Sequence, residues 1–302
     1  MADLSLAAPG ADPMPGGASP PRGRTWRRLM LRLAVYGLPV LLILVPLATF
    51  LVYSFWTIVD GQLVQSFSLA NYVDFLAKPV YRGVFLSTLG LAGIVAATSL
   101  VLGYIVAYLV WRLEGRLRYL LLLLSVIPLA MNYIVKIYAM RSILGYNGFL
   151  NWVLVHLGVL QAPSKVFIFN QTAVMITMAV IYLPYAILPI FLSLERISPS
   201  LMAASADLGG RPGQTFRHVV LPLSLPGSIV GALFVMVLAL GDYLTPQMVG
   251  GNQGFTFGRA IWSQFGMAFN WPFGAALAVV LLLCVVLIIL AAATISRHAR
   301  VK

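Results

Sequence analysis

Residues 197–222 read ISPSLMAASADLGGRPGQTFRHVVLP and lie between two apolar runs, Thr172–Leu194 and Leu223–Pro246. Ser198 stands where it can cap a helix, and Pro199 follows at the first helical position, where its missing N–H has no intrahelical partner to lose. The stretch Ser200–Leu208 favours helix and carries the small residues Ala203, Ala204 and Ser205, then Asp207 and Leu208. Gly209 and Gly210 permit a sharp turn, because glycine takes positive φ without steric penalty. A second short helix is expected from Arg211 and Pro212 to about Val220, with Phe216 and Val219 three residues apart on one face. Pro222 then opens the next apolar run. The expected form is a helix–turn–helix bracket outside the membrane, with small side chains near its bend where another backbone can approach.

Each flanking run is long enough to cross a bilayer, which takes about 20 apolar residues. Four more runs qualify: Leu33–Trp56, Val84–Trp111, Tyr119–Tyr138 and Phe273–Ser296. The chain is 61% hydrophobic and 9% charged, against roughly 45–50% and 25% in soluble domains, so lipid is its expected solvent. The first run is too long for the core of a cleaved signal peptide and is expected to be a retained anchor. The third run is the least continuous, since Pro128, Asn132 and Lys136 interrupt it. Pro184 and Pro189 are expected to kink the fourth.

Orientation follows from lysine and arginine in the loops. Lys78, Arg82, Lys136, Arg141, Lys165 and Arg259 fall on one side, leaving fourteen of the 20 basic residues on the other. The richer side holds Arg22, Arg24, Arg27, Arg28 and Arg32, the 112–118 loop, the 195–221 loop and the C-terminal Arg297, Arg300 and Lys302. It is assigned to the cytoplasm, which gives six spans with both termini inside. Residues 1–28 read as a disordered basic tail and 29–302 as one transmembrane domain. The net charge of +12 does not point to nucleic acid, because the basic residues sit beside apolar runs rather than in one patch. Residues 147–160 are expected to form a short interfacial helix on the outer side, capped by Asn147.

Several chemistries are missing. There is no phosphate-binding G-x-x-x-x-G-K-[ST] loop and no G-x-S-x-G turn. His156, His218 and His298 are scattered without metal-ligand spacing, and the eight acidic residues are widely separated. Cys284 is the one cysteine and lies in the last apolar run. No catalytic or metal residue is assigned. Asp242 is the one acidic residue within a span, and an ionisable group there calls for a partner or a cavity. Two readings stay open: a contact for a cationic solute helped by Tyr243 and Trp262, or a structural role. The structural role would be an ion pair with Lys136 or Arg141, or a helix cap beside Thr245 and Pro246. Asn132, Tyr133, Tyr185, Asp242, Tyr243 and Thr245 are the candidates for a translocation path. Gly227 and Gly231 form a small-xxx-small pair suited to helix packing.

The loop resembles the "EAA" loop of ABC-importer permeases, whose pattern is E-A-A-x3-G-x9-I-x-L-P. Ala203 stands at the Glu position, Ala204 and Ser205 at the two alanines and Gly209 at the glycine. Val219 replaces Ile, and Leu221 and Pro222 match the end. The stretches Tyr182–Pro189, Ser193–Ile197, Asp207–Gly210, Leu240–Gly251 and Asn147–Asn151 are similar to the spermidine/putrescine branch of that family. The resemblance implies an all-α, type I importer permease in the bacterial cytoplasmic membrane, in which the bracket couples transport to ATP use. It implies a second homologous permease, two ATP-binding subunits that carry the ATP-Mg, and an extracytoplasmic solute-binding protein. A self-sufficient ion-coupled transporter or channel is the alternative, although it would bury more ionisable residues.

Overall fold

The computed structural model describes Trp26 and residues 30–301, with side chains through Thr294. The remainder of the expected tail at 1–28 and the C-terminal basic side chains lie outside the described residues. The described chain falls into two units, one ending at Thr49 and one beginning at Phe50. Helix α1 (Met30–Tyr53) supplies the first span. It ends three residues short of the run expected to reach Trp56, and Ser54–Trp56 turn into an antiparallel hairpin of β1 (Thr57–Val59) and β2 (Gln62–Val64). The hairpin is a small departure from an all-helical fold. Asp60 and Gly61 both have positive φ, 51° and 77°, as a two-residue hairpin turn requires.

The second unit continues with α2 (Ala70–Ala77), α3 (Pro79–Arg112), α4 (Gly115–Ala130), α5 (Tyr133–Leu144), α6 (Phe149–His156) and α7 (Gln171–Glu195). Then come α8 (Pro199–Asp207), α9 (Pro212–Gly241), α10 (Leu244–Val249), α11 (Phe257–Gly266) and α12 (Trp271–Val301). Five helices are long and apolar enough to span, or six if α4 and the bent segment Tyr133–His156 count as one. That pair corrects the third expected span, 119–138, which is not one straight helix. Helix α4 stops at Ala130, and the segment that follows bends away by 104°. Pro128 and the helix-capping Asn132, whose Oδ1 accepts from Ile134 N at 2.9 Å, account for the break.

Helix α7 is the most enclosed span of this unit and runs unbroken through Pro184 and Pro189. Asn170 caps it, with Oδ1 accepting from Ala173 N at 2.8 Å. Helices α3 and α9 pack on it through small residues. A Cβ added to Gly103 of α3 would lie 3.0 Å from the Ala186 Cβ, and one on Gly231 would lie 3.0 Å from the Ala186 carbonyl. Gly227 faces Pro189 and Ser193 still more closely. The Gly227/Gly231 pair is therefore a packing contact, since lipid supplies no hydrophobic drive between helices and close approach must bring them together. Side-chain hydroxyls add ties: Ser99 Oγ donates to the Ala179 carbonyl at 3.2 Å, and Tyr104 and Ser224 meet at 2.8 Å. A second cluster at the outer end gathers Phe75, Phe257, Phe273 and Leu277.

The fifth span also differs from expectation. It was expected over 223–246 with a separate short helix before it. Instead Pro212–Gly241 is helical throughout, with a wider π turn at Phe216–Val220. It stops at Gly241 because Asp242 takes extended dihedrals, φ −73° and ψ 119°. Pro222 fails to mark a boundary because α9 already supplies a preceding turn, and the π segment absorbs the ring.

Candidate functional site

On the inner side the bracket forms as expected in its first arm. Ser198 caps α8, Pro199 is its first residue, and Gly209 has φ +77°. Gly209 N donates to the Ala206 carbonyl at 2.8 Å and Gly210 N to the Ser205 carbonyl at 2.9 Å. These two bonds make the Schellman motif that closes a helix before a left-handed glycine. The second arm is the start of α9 rather than a free-standing helix. Its first turn is secured by Arg211 N donating to Gln214 Oε1 at 2.9 Å, with Pro212 at the first position.

Ala203, Ala204, Asp207 and Leu208 are exposed, and Leu208 reaches 89%. Ser205 is half-buried and its hydroxyl meets that of buried Thr215 at 2.8 Å. Phe216 turns back into the protein, its ring edge-on to Tyr108 at 5.2 Å and Tyr104 at 6.0 Å. At the base of the bracket, Arg118 of α4 pairs with Glu195, the last residue of α7, at 3.3 Å. The Arg118 guanidinium also lies 5.1 Å from the centre of the Phe191 ring. An exposed arm is thus joined to a helix anchored in the membrane body.

At the outer end of α9, Asp242 is 7% exposed. Its Oδ2 accepts from Tyr133 Oη at 2.5 Å and from Tyr182 Oη at 2.8 Å. Its Oδ1 accepts from Leu244 N at 3.0 Å and Thr245 N at 3.1 Å, so it caps α10. A carboxylate has about four acceptor sites, and four donors fill them. Thr245 Oγ1 lies 2.7 Å from Tyr133 Oη, and Thr256 Oγ1 donates to the Asp242 carbonyl at 3.2 Å. The hub binds α5, α7, α9, α10 and the start of α11.

The ion pair considered for Asp242 does not form. Among the described residues neither Lys136 nor Arg141 is within 4.0 Å of a carboxylate. Lys136 is buried with its ammonium 5.6 Å from the centre of the Tyr133 ring, and Arg141 sits over Phe169 at 5.6 Å. Of the path candidates, Asp242, Tyr133 and Thr245 come together. Tyr185 is half-buried beside Tyr182, its ring at 6.3 Å, and Asn132 is exposed. Tyr243 is 40% exposed and lies parallel to Trp262, centroids 6.1 Å apart. Tyr182 and Thr215 were not selected from sequence. A phenol in an otherwise apolar span needs a partner for its hydroxyl, and that is the signal by which Tyr182 could have been found.

The outer segment before α7 is pinned by one side chain. Buried Asn151 donates from Nδ2 to the Gly145 carbonyl at 3.0 Å and the Ser164 carbonyl at 2.9 Å, and accepts from Ser164 N at 2.9 Å. The short helix here begins after Gly148 rather than being capped by Asn147. A Cβ on Gly148 would lie 2.5 Å from the Ile143 carbonyl, so only glycine fits at the cap. Asn151→Ala is expected to loosen 145–164 at a cost of about 1–3 kcal/mol, seen as faster limited proteolysis within that segment. Unchanged cleavage would show that the loop is held otherwise.

The family described as binding-protein-dependent transport system inner membrane component matches residues 99–300. The spermidine/putrescine transport system permease protein PotB of Escherichia coli (strain K12) is 36% identical over 248 residues, 82% of this chain and 90% of that one. The PotB protein of Salmonella typhimurium (strain SL1344) is 35% identical over 248 residues, 82% of this chain and 86% of that one. Among solved structures, a chain of a bacterial alginate ABC transporter bound to its periplasmic protein superposes with a TM-score of 0.71. It is 13% identical and the match covers 91% of this chain and 98% of that one.

Proposed function

Because the chain belongs to the family of inner membrane components of binding-protein-dependent transport systems, we propose that the solute it moves is a polyamine of the spermidine or putrescine kind. The protein is a multi-pass permease of the cytoplasmic membrane. It works as one half of a translocation core, paired with a second, similar permease. Two ATP-binding subunits hold the ATP-Mg and dock on the bracket, and an extracytoplasmic binding protein delivers the solute. The similarity to the PotB proteins supports the solute class.

The observation that carries the coupling role is the continuity of the bracket with α9. Thirty residues of unbroken helix, Pro212–Gly241, span about 45 Å at 1.5 Å per residue. The inner end of that helix is the second arm of the bracket, and its outer end is the Asp242 hub. A push on the exposed first arm is carried to α9, then to α7 through the glycine contacts and to α5 through the hub. Packed helices respond to such a push by discrete shifts rather than by gradual deformation.

Ala204 stands on the exposed face of the first arm. Ala204→Arg is expected to lower ATP-driven uptake at least about tenfold, the effect of roughly 1.4 kcal/mol lost at a docking surface, while membrane insertion is retained. Full uptake by that variant would remove the bracket from the mechanism. Gentle detergent purification of the tagged protein from its native membrane is expected to bring an ATPase and a second permease. Spermidine presented with the binding protein is expected to stimulate ATP hydrolysis by that complex. A complex that assembles but ignores polyamines would refute the solute class and leave the permease role standing.

A further inference from the structure

We propose that the Ser205–Thr215 hydroxyl pair is a brace that fixes the angle between the two arms of the bracket and keeps solute movement tied to ATP use. The tie to ATP use rests on the importer reading above; the bracing geometry stands apart from it.

The backbone alone leaves this angle loosely set. The Schellman bonds close the end of α8, and the Gln214 side chain organises the first turn of α9. Between them lie Gly210 and Arg211, whose dihedrals set the direction of one arm relative to the other. Gly210 packs directly on Ser205: a Cβ there would lie 2.6 Å from the Ser205 carbonyl and 2.7 Å from its Oγ. The turn therefore folds down onto the residue that carries the cross-link. Among the described residues, the 2.8 Å contact between Ser205 Oγ and Thr215 Oγ1 is the side-chain hydrogen bond that joins the arms.

The two ends of this bond sit in different surroundings. Ser205 belongs to the arm whose residues Ala203, Ala204, Asp207 and Leu208 are exposed, while Met202 of the same arm is half-buried against the main apolar core. Thr215 is 6% exposed and precedes Phe216, which is wedged against Tyr104 and Tyr108. A load applied to the exposed arm thus enters the membrane body through this bond and the Met202 packing as well as through the chain, and of these the bond is the directional tie to α9. The pattern that the loop resembles has alanine where Ser205 stands. Alanine has no hydroxyl, so the brace belongs to this chain's departure from that pattern. It lies in the same arm that lacks the pattern's glutamate.

Ser205 is a positioning residue, and the test separates bracing from the mere satisfaction of a buried hydroxyl. With Cys284 replaced by serine, nitroxide labels are placed on exposed Ala206 and His218 of the full-length protein in its complex. Double electron–electron resonance then reads the spread of distances between the arms. Ser205→Ala is expected to widen the distribution, as is the Ser205→Ala/Thr215→Val double variant. Ser205→Thr, which keeps the hydroxyl, is expected to leave it narrow. Loss of one hydrogen bond shifts the braced fraction by about two- to tenfold, and spermidine moved per ATP is expected to fall by the same factor. The double variant leaves no unpaired hydroxyl, so a distribution that returns to the original width there would overturn the proposal. An unchanged distribution in every variant would do the same. Failure of the unmodified complex to take up spermidine would count against the importer reading, and the label distances would still judge the brace.

Discussion

Replacing Asp242 with alanine is expected to destabilise the protein by about 3 kcal/mol or more, because hydrogen bonds to a buried charge are each worth roughly 1.5–3 kcal/mol and their loss strands the donors. Four donors lose their acceptor at once: the hydroxyls of Tyr133 and Tyr182 and the backbone N–H groups of Leu244 and Thr245. Without the carboxylate the phenols keep only each other, 2.9 Å apart, and Thr245 Oγ1, 2.7 Å from Tyr133 Oη, while the two N–H groups are left with no acceptor. Asp242→Asn keeps one carbonyl oxygen for the two N–H groups, and its amide can donate to the phenols, so a smaller loss is expected. Tyr182→Phe removes one donor and leaves the carboxylate with three, and it is expected to fall between wild type and the alanine variant. The measurement is the melting temperature and monodisperse yield of each variant in detergent. An Asp242→Ala protein that melts like wild type but fails only in cation uptake would make the carboxylate a solute contact instead.

Gly227→Ala is expected to cost about 2–3 kcal/mol by overpacking. The added methyl would overlap the Pro189 carbonyl and the Ser193 Cβ. One is backbone and the other is the root of a side chain, so neither can rotate away. Helix α9 would have to withdraw from α7, opening its contact with the most enclosed span. Gly241→Ala is the control, since a Cβ there meets nothing within 4 Å and helix propensity favours alanine. Thermal unfolding of the two variants side by side decides the matter. Equal melting temperatures would mean that the helices separate without penalty.

Much of this architecture was legible in the chain because the bilayer imposes a simple rule. Every backbone polar group in hydrocarbon must be satisfied within its own segment, so long apolar runs announce helices. The bracket was equally legible in its first arm, where Ser198, Pro199, Gly209 and Gly210 each have a local conformational role. The third span was not, because Pro128 and Asn132 locate an interruption without fixing the 104° turn that neighbouring helices stabilise. The helix of the fifth span begins earlier and stops sooner than the apolar run, at Pro212 and Gly241. Pro212 and Pro222 both fit a helix start, and only the packing of Phe216 on Tyr104 and Tyr108 joins the segments into one. Asp242 reads as an intramembrane charge in the sequence, and its capping role depends on where α10 begins.

By itself the sequence determined a multi-pass helical membrane protein, its sidedness through lysine and arginine, and the location of the loop that faces the cytoplasm. These follow from properties local to a segment: transfer free energy, charge and turn propensity. The tertiary structure alone decided that Tyr133 and Tyr182, 49 residues apart, share one carboxylate. It also decided that Gly103 and Gly231 close on the same alanine, and that Ser205 and Thr215 bridge the bracket. Such pairings depend on how separate helices rotate and slide against one another, which no single segment encodes.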